Sequence, residues 1–232
     1  MKKNFRTVIG LALAAALVLA LAGCGGDKPT GGNVGGNTDK GPAIALELVA
    51  EAEAAAGEQL NITIPALADK ADNAVLADFS GDIAAKLAEW PQTLGEGESV
   101  LVRALSLDTE NYLSVVITRN NAPDYGSDGQ VYTYVYDKII DSAMNEDLAV
   151  SLGGMTDDMI AEALVNYLDA GQEWISFNIA GYAMAEDGKP VYFVETEVEQ
   201  EGADNWTYLY VLKDGQIRGT LSQLIEELTP AQ

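Results

Sequence analysis

Two sets of aromatic side chains recur at alternate positions: Tyr132, Tyr134 and Tyr136 in QVYTYVYD, and Trp206, Tyr208 and Tyr210 in NWTYLYVLK. Successive side chains of an extended strand point to opposite faces, so each set shares one face. Adjacent and exposed, the two rows would form a flat aromatic platform that stacks on sugar rings or anchors a protein interface. The alternative is cross-strand packing beneath a helix, a common use of aromatic residues in strands. These six residues are the candidate ligand-binding positions.

Cys24 carries different chemistry. It is the only cysteine and closes Leu21-Ala22-Gly23-Cys24, which matches the lipobox of bacterial lipoproteins. Small residues at Ala22 and Gly23 let a processing peptidase approach, and the Cys24 thiol takes a diacylglycerol. Lys2, Lys3 and Arg6 form a positive start, and the apolar run Val8 to Ala22 is too short for a membrane span. The expectation is a signal peptide over 1–23 and a lipid anchor on Cys24, holding the chain at the outer face of the cell membrane. Residues 25–42 are dense in Gly, Asn, Asp and Thr, with almost nothing apolar. Such a segment cannot bury enough surface to offset chain entropy, so 24–42 reads as a lipidated tether.

Enzymatic chemistry finds little support. The chain has no histidine, which excludes histidine bases and Cys/His zinc sites, and one cysteine allows no internal disulfide. G-x-S-x-G, S-x-x-K, P-loop and H-E-x-x-H patterns are all absent. A pair of carboxylates could still hydrolyse a glycan, but with 36 acidic residues any pair arises by chance. Asp124 to Gly129 half resembles a calcium loop. It lacks the middle acid, and its twelfth position is Val135 rather than a bidentate Glu, so it reads as a turn. No cofactor and no metal are expected.

Charge bears on partners. The 232 residues carry a formal −23; removing the three bases of the leader, which contains no acid, leaves −26. Such a surface repels nucleic acid and draws in cationic proteins, although charge also serves plain solubility.

Elements must position these residues, and 48% hydrophobic content is enough for a core. Ile44 to Ala56 alternates apolar residues with Glu47, Glu51 and Glu53, which favours a strand despite its helix-forming composition. A hairpin past Gly57 into Leu60 to Pro65 is expected. Val75, Leu76, Phe79, Ile83, Leu87 and Trp90 predict an amphipathic helix within 69–90, stopped by Pro91. Strands follow over 99–107, 112–119 and 130–138, with Leu113, Val115 and Ile117 on one buried face of the second. Gly153-Gly154 breaks the chain. Thr156 then caps a helix to about residue 169, with Asp157 and Asp158 in its first turn and Met159, Ala163, Val165, Tyr167 and Leu168 as its apolar content. Three more strands, over 174–184, 190–199 and 206–213, turn at Glu186-Asp187-Gly188 and Lys213-Asp214-Gly215. Leu221, Leu224, Ile225 and Leu228 mark a closing helix. The sum is a single α+β domain over 43–232, an antiparallel sheet with two or three helices packed on it.

The order of segments resembles that of the RsiV-like extracellular domains. Ile62-Thr63-Ile64-Pro65-Ala66-Leu67 before a helix ending near Trp90 is similar to that family's opening. Leu113-Ser114-Val115-Val116-Ile117 and Val131-Tyr132-Thr133-Tyr134 resemble its central strand pair, and Gly188 to Phe193 with Leu221 to Leu228 its close. The likeness spans most of 60–228 as pattern. It departs where the family's Gly-Gly-Ala-His stretch is replaced by Asp124 to Gly129, and after Leu168. The family includes a lysozyme-sensing anti-sigma factor and accompanies cell-wall deacetylases, so the resemblance implies an extracytoplasmic binding module. The expected function is a non-enzymatic, lipid-anchored binding domain for a cationic protein or a cell-wall glycan. The alternatives are a glycan- or solute-binding lipoprotein serving a transporter or wall enzyme, and a carboxylate-dependent glycan hydrolase.

Overall fold

The computed structural model describes residues 44–70, 72–122, 129–168, 172–200 and 205–228. The expected leader, Cys24 and tether lie outside the described residues, as does most of the calcium-like turn. The alternating segment after Ile44 forms strand β1 (Glu47–Ala55), and it pairs with β2 (Ser99–Asp108) rather than with the residues that follow it. The hairpin into Leu60 to Pro65 is therefore not formed. Pro65 instead opens the short helix α1 (Pro65–Ala68), at a position where its missing N–H is no loss. Helix α2 (Ala74–Glu89) starts just before the first apolar residue of its spacing, where the Asn73 side chain caps it by accepting from the Leu76 N–H. A 3-10 turn over Trp90–Thr93, holding Pro91, ends it.

Strands β3 (Tyr112–Ala122), β4 (Gln130–Asp137) and β5 (Ser142–Ala143) complete a five-stranded antiparallel sheet in the order β1-β2-β3-β4-β5. Two helices follow, α3 (Glu146–Gly153) and α4 (Asp157–Tyr167), the second capped by Thr156 as its sequence predicts. Strands β6 (Gln172–Met184), β7 (Pro190–Gln200), β8 (Trp206–Lys213) and β9 (Gln216–Thr220) form a second antiparallel sheet in sequence order, and α5 (Leu221–Leu228) closes the chain. The α+β class stands, with antiparallel strands divided between two sheets. The buried residues of α4 are Ile160, Ala163 and Leu164, whereas Met159, Val165 and Tyr167 lie exposed.

Three cores stack in register. In the first, Leu76, Ile83, Leu87 and Trp90 meet Val100, Val102, Leu113, Val115 and Ile117 on one face of the first sheet. In the middle, Leu105, Leu107 and Val116 from the other face meet Val191, Phe193, Leu209 and Val211 of the second sheet, with Leu221 and Ile225 of α5. In the third, Ile160, Ala163 and Leu164 cover Tyr192, Val194, Tyr210 and Leu212. The layers run helix, sheet, sheet, helix. This corrects the one-sided reading of β3: with a helix on one side and a sheet on the other, Leu113 through Thr118 are buried on both faces.

Small residues set the spacing between layers. Gly181 faces Thr133 so closely that a Cβ would stand 2.6 Å from Thr133 Cγ2. At this seam the outer edge of β6 donates into the first sheet: the Tyr182 N–H to Thr133 Oγ1 (3.3 Å) and the Met184 N–H to Ser114 Oγ (2.9 Å). Edge amides that would otherwise be open to a second chain are thus consumed internally. Gly153-Gly154 does two jobs: Gly153 makes room for the Tyr192 hydroxyl, and Gly154 caps α3 at φ +60°.

Candidate functional site

The two aromatic rows belong to different sheets and form no joint platform. Tyr132, Tyr134 and Tyr136 of β4 lie beneath α2, as the packing alternative requires. Trp90 meets the Tyr132 ring at 5.2 Å between centroids and Phe79 meets Tyr134 at 5.4 Å, while Lys86 Nζ stands 5.1 Å above Tyr132. The hydroxyls are also taken. Tyr132 donates to Gln130 Oε1 (3.0 Å), Tyr134 to Asp82 Oδ2 (2.6 Å) and Tyr136 to Asp141 Oδ1 (2.5 Å). Burial, and then the hydrogen bond to Asp82, push the Tyr134 hydroxyl far above its ordinary range. Asn73 bridges the end of this row, donating through Nδ2 to the Tyr136 hydroxyl (3.0 Å) and to Asp141 (2.8 Å).

The second row behaves differently. It begins at Tyr167, the last residue of α4, whose ring meets Tyr210 edge-on at 5.4 Å. It runs along β8 from Tyr210 to Tyr208 (5.7 Å) and from Tyr208 to Trp206 (6.4 Å), the last pair stacked at 20°. Along β8 exposure rises from 4% at Tyr210 to 39% at Trp206, while Tyr167, at the helix end of the row, is itself exposed.

Neighbouring strands widen this outer end. In the register of β6, β7 and β8, Trp174 aligns with Val198 and Trp206, and Phe177 with Thr196 and Tyr208. Trp174 and Phe177 are themselves in contact, edge to face at 5.2 Å. Val198 and Thr196 lie fully buried at 0% exposure, forming the floor of the patch, and the Thr196 hydroxyl has no hydrogen-bond partner. The sequence alone missed Trp174 and Phe177, because they stand three positions apart and period two puts them on opposite faces. A bulge between Trp174 and Ser176 takes up the extra residue, Ile175, and returns both rings to one side.

The other side of the same three strands is acidic. Glu195, Glu197 and Glu199 alternate with Thr196 and Val198 on β7, and Glu173 aligns with Glu199. Ser176, Asn178 and Asn205 donate to these carboxylates, Ser176 to Glu197 (3.3 Å), Asn178 to Glu195 (3.3 Å) and Asn205 to Glu197 (3.1 Å). No Lys or Arg occurs in 172–178, 195–200 or 205–210. The outer end of the second sheet is therefore a thin blade, aromatic on one side and negative on the other. Such an arrangement can stack and desolvate against a partner while its field attracts positive charge. Among the described residues, no group of three or more Cys, Asp or Glu side chains could hold a metal ion, and no helix is long and apolar enough to cross a membrane.

No protein-family model matches this chain, and no curated protein or solved structure matches it.

Proposed function

We propose that the chain is a lipid-anchored, extracytoplasmic and non-enzymatic binding domain, and that the outer end of its second sheet receives a cationic protein. The observation that carries this is the emergence of Trp206, 39% exposed and stacked on Tyr208, from an acidic blade without a single base. Exposed, preordered aromatic rings bring large contact area at little entropic cost, and Trp and Tyr dominate the energetics of interfaces. Carboxylates behind them raise the encounter rate with a basic partner. The anchor rests on Leu21-Ala22-Gly23-Cys24 and the basic start, and the likeness to the RsiV-like extracellular domains supports the same setting. A cell-wall glycan is the second reading, favoured by the stacked pair Trp206/Tyr208, since sugar rings stack on aromatic faces.

The test is titration of the purified chain with lysozyme and with cytochrome c, two basic proteins, at several salt concentrations. Specific binding saturates at fixed stoichiometry for one of them, survives moderate salt, and weakens at least about tenfold in Trp206→Ala. Equal binding of both that vanishes near 0.2 M salt reduces the effect to a non-specific polyanion, since exposed charges are then largely screened. Binding of soluble glycan chains that Trp206→Ala abolishes, with no protein binding, selects the second reading. The anchor is tested separately: Cys24→Ala leaves the protein unprocessed or sheds it to the medium, and a fully cleaved variant still in the membrane fraction would refute it.

A further inference from the structure

Away from the aromatic blade, strand β9 borders a cleft of about 510 Å³, between α5, the end of α4 and the start of the described chain at Ile44. Its volume lies within the roughly 300–1,000 Å³ usual for small-molecule sites. One wall is apolar, made by Ile44, Val211 and Leu224, and the remainder includes Tyr167, Arg218 and Glu226.

Arg218 is the unusual member. Lys70, Lys86, Arg103, Lys138, Lys189 and Lys213 each hold a carboxylate, and Arg119 lies over the Trp90 ring. Among the described basic side chains Arg218 does neither, and its Nε is shut away from water without a hydrogen-bond partner. In a domain this rich in carboxylates, a guanidinium that forms no ion pair among the described residues keeps donors for an acceptor from outside. The backbone aims it there. Tyr210 aligns with Thr220 and Leu212 with Ile217, so Val211 stands opposite both Arg218 and Gly219. This bulge needs Gly219 at φ +139°, a conformation that side-chain-bearing residues avoid, and bulges of this kind redirect a side chain.

Glu226 faces the same cleft, exposed on α5, and the ion pairs among the described residues include neither it nor Arg218. Arg218 thus lines one cleft with two neighbouring carboxylates of α5, Glu226 and Glu227, and closes on Glu226 in none of these ion pairs. A phosphate or dicarboxylate would suit Arg218 but be repelled by Glu226, and a simple amine the reverse. A molecule with one charge of each sign satisfies both. We propose that this cleft binds a small zwitterion, an α-amino acid with an apolar side chain. Its carboxylate pairs with Arg218, its ammonium faces Glu226, and its side chain lies against Ile44, Val211 and Leu224.

The test is calorimetric titration of the full-length protein with L-leucine and L-phenylalanine. Leucinamide, which lacks the carboxylate, and N-acetyl-leucine, which lacks the ammonium, are the controls. At least one amino acid should bind saturably, and each blocked form should bind at least about tenfold more weakly. Arg218→Gln should weaken binding by about ten- to a hundredfold, the range for a hydrogen bond to a charged group, and Arg218→Lys by less. Should Arg218→Gln fail to fold, judged by circular dichroism, Glu226→Gln on the exposed face of α5 carries the test. It should weaken leucine about tenfold and leave N-acetyl-leucine unchanged. Trp206→Ala should bind leucine as wild type does, which separates this site from the aromatic blade. No binding of either amino acid, leucinamide binding as well as leucine, or an undiminished affinity in folded Arg218→Gln would each overturn the proposal.

Discussion

Strands β4 and β8 each place three large aromatic rings on one face, yet α2 lies along the whole of the first row while α4 reaches only the start of the second. Contacts to the first row come from Asn73, Phe79, Asp82, Lys86 and Trp90, from one end of the helix to the turn beyond it. α2 has 16 residues and spans about 24 Å; α4 has 11 and spans about 16 Å. The shorter helix ends at Tyr167 against Tyr210, and the two remaining rings of β8 continue outward. The same periodicity therefore ends differently in the two rows: Tyr208 and Tyr210 pack on a core as the β4 tyrosines do, and Trp206 alone, past the end of the shorter helix, is exposed.

The largest effect that can break this comparison is on stability. Trp90 is 4% exposed and packs on both Tyr132 and Arg119, so Trp90→Ala should cost about 3–5 kcal/mol in urea unfolding, as for large aromatic truncations in a core. Trp206→Ala should cost no more than about 1 kcal/mol, since it loses one stacked contact at the surface. Equal losses would mean that the β8 row is as much core as the β4 row, and the binding face would have to be sought elsewhere.

Much of this fold was legible in the residues. Strand β8 coincides with its sequence reading, and Thr156 marks the start of α4 because a hydroxyl before two acids suits the helix N-terminus. What escaped depended on irregularity or on distant partners. The hairpin after Gly57 failed because a proline that can end a strand can equally begin a helix, and only the tertiary pairing of β1 with β2 decides. Helix α3 did carry a signal: Asn145 caps it by accepting from the Leu148 N–H (2.8 Å), ahead of Glu146 and Asp147. The outer face of β6 was hidden by its bulges, and the Arg218 cleft by its assembly from segments far apart in the chain. For the aromatic rows the sequence supplied both alternatives: the β4 row follows the packing one, and the joint platform is not formed because β4 and β8 belong to different sheets.

An intermediate effect sharpens the contrast within β6 itself. Its inner half is tied to the first sheet through Ser114 and Thr133, whereas its outer half carries Trp174 and Phe177 beyond those two ties. Ser114 is fully buried, so Ser114→Ala strands the Met184 N–H without an acceptor. That should cost about 1–3 kcal/mol by thermal or urea unfolding. Affinity for the proposed cationic partner should not change in the folded variant. A loss of affinity matching that of Trp206→Ala would show that the blade depends on the seam, and the two halves of β6 could not then be treated separately.

The smallest effect concerns acid, and it follows from the hydroxyls. The Tyr136 hydroxyl and then the Asn73 amide donate to Asp141, holding its carboxyl below the ordinary value of 3.8. In the unfolded chain these donors are gone, so the unfolded state takes up the proton first as pH falls. The stabilisation is therefore present above about pH 4, and it is lost as pH drops through the lower, folded value. Tyr136→Phe removes the larger of the two causes, and the Asp141 pKa should rise toward its ordinary value, as followed by carboxyl NMR. The urea midpoint of the variant should accordingly fall less between pH 5 and pH 3 than that of the wild type. Trp206→Ala should keep the wild-type acid slope, since Trp206 stacks on a ring and holds no carboxylate. Asp187 also titrates low: burial, its largest influence, raises its pKa, but the hydrogen bond and charge of Lys213 and those of Lys189 outweigh it. That contribution is common to all three proteins and cancels in the comparison. An unchanged slope in Tyr136→Phe would mean that the covered row is held by ring packing alone, and that its hydroxyls could be lost without altering which row stays buried.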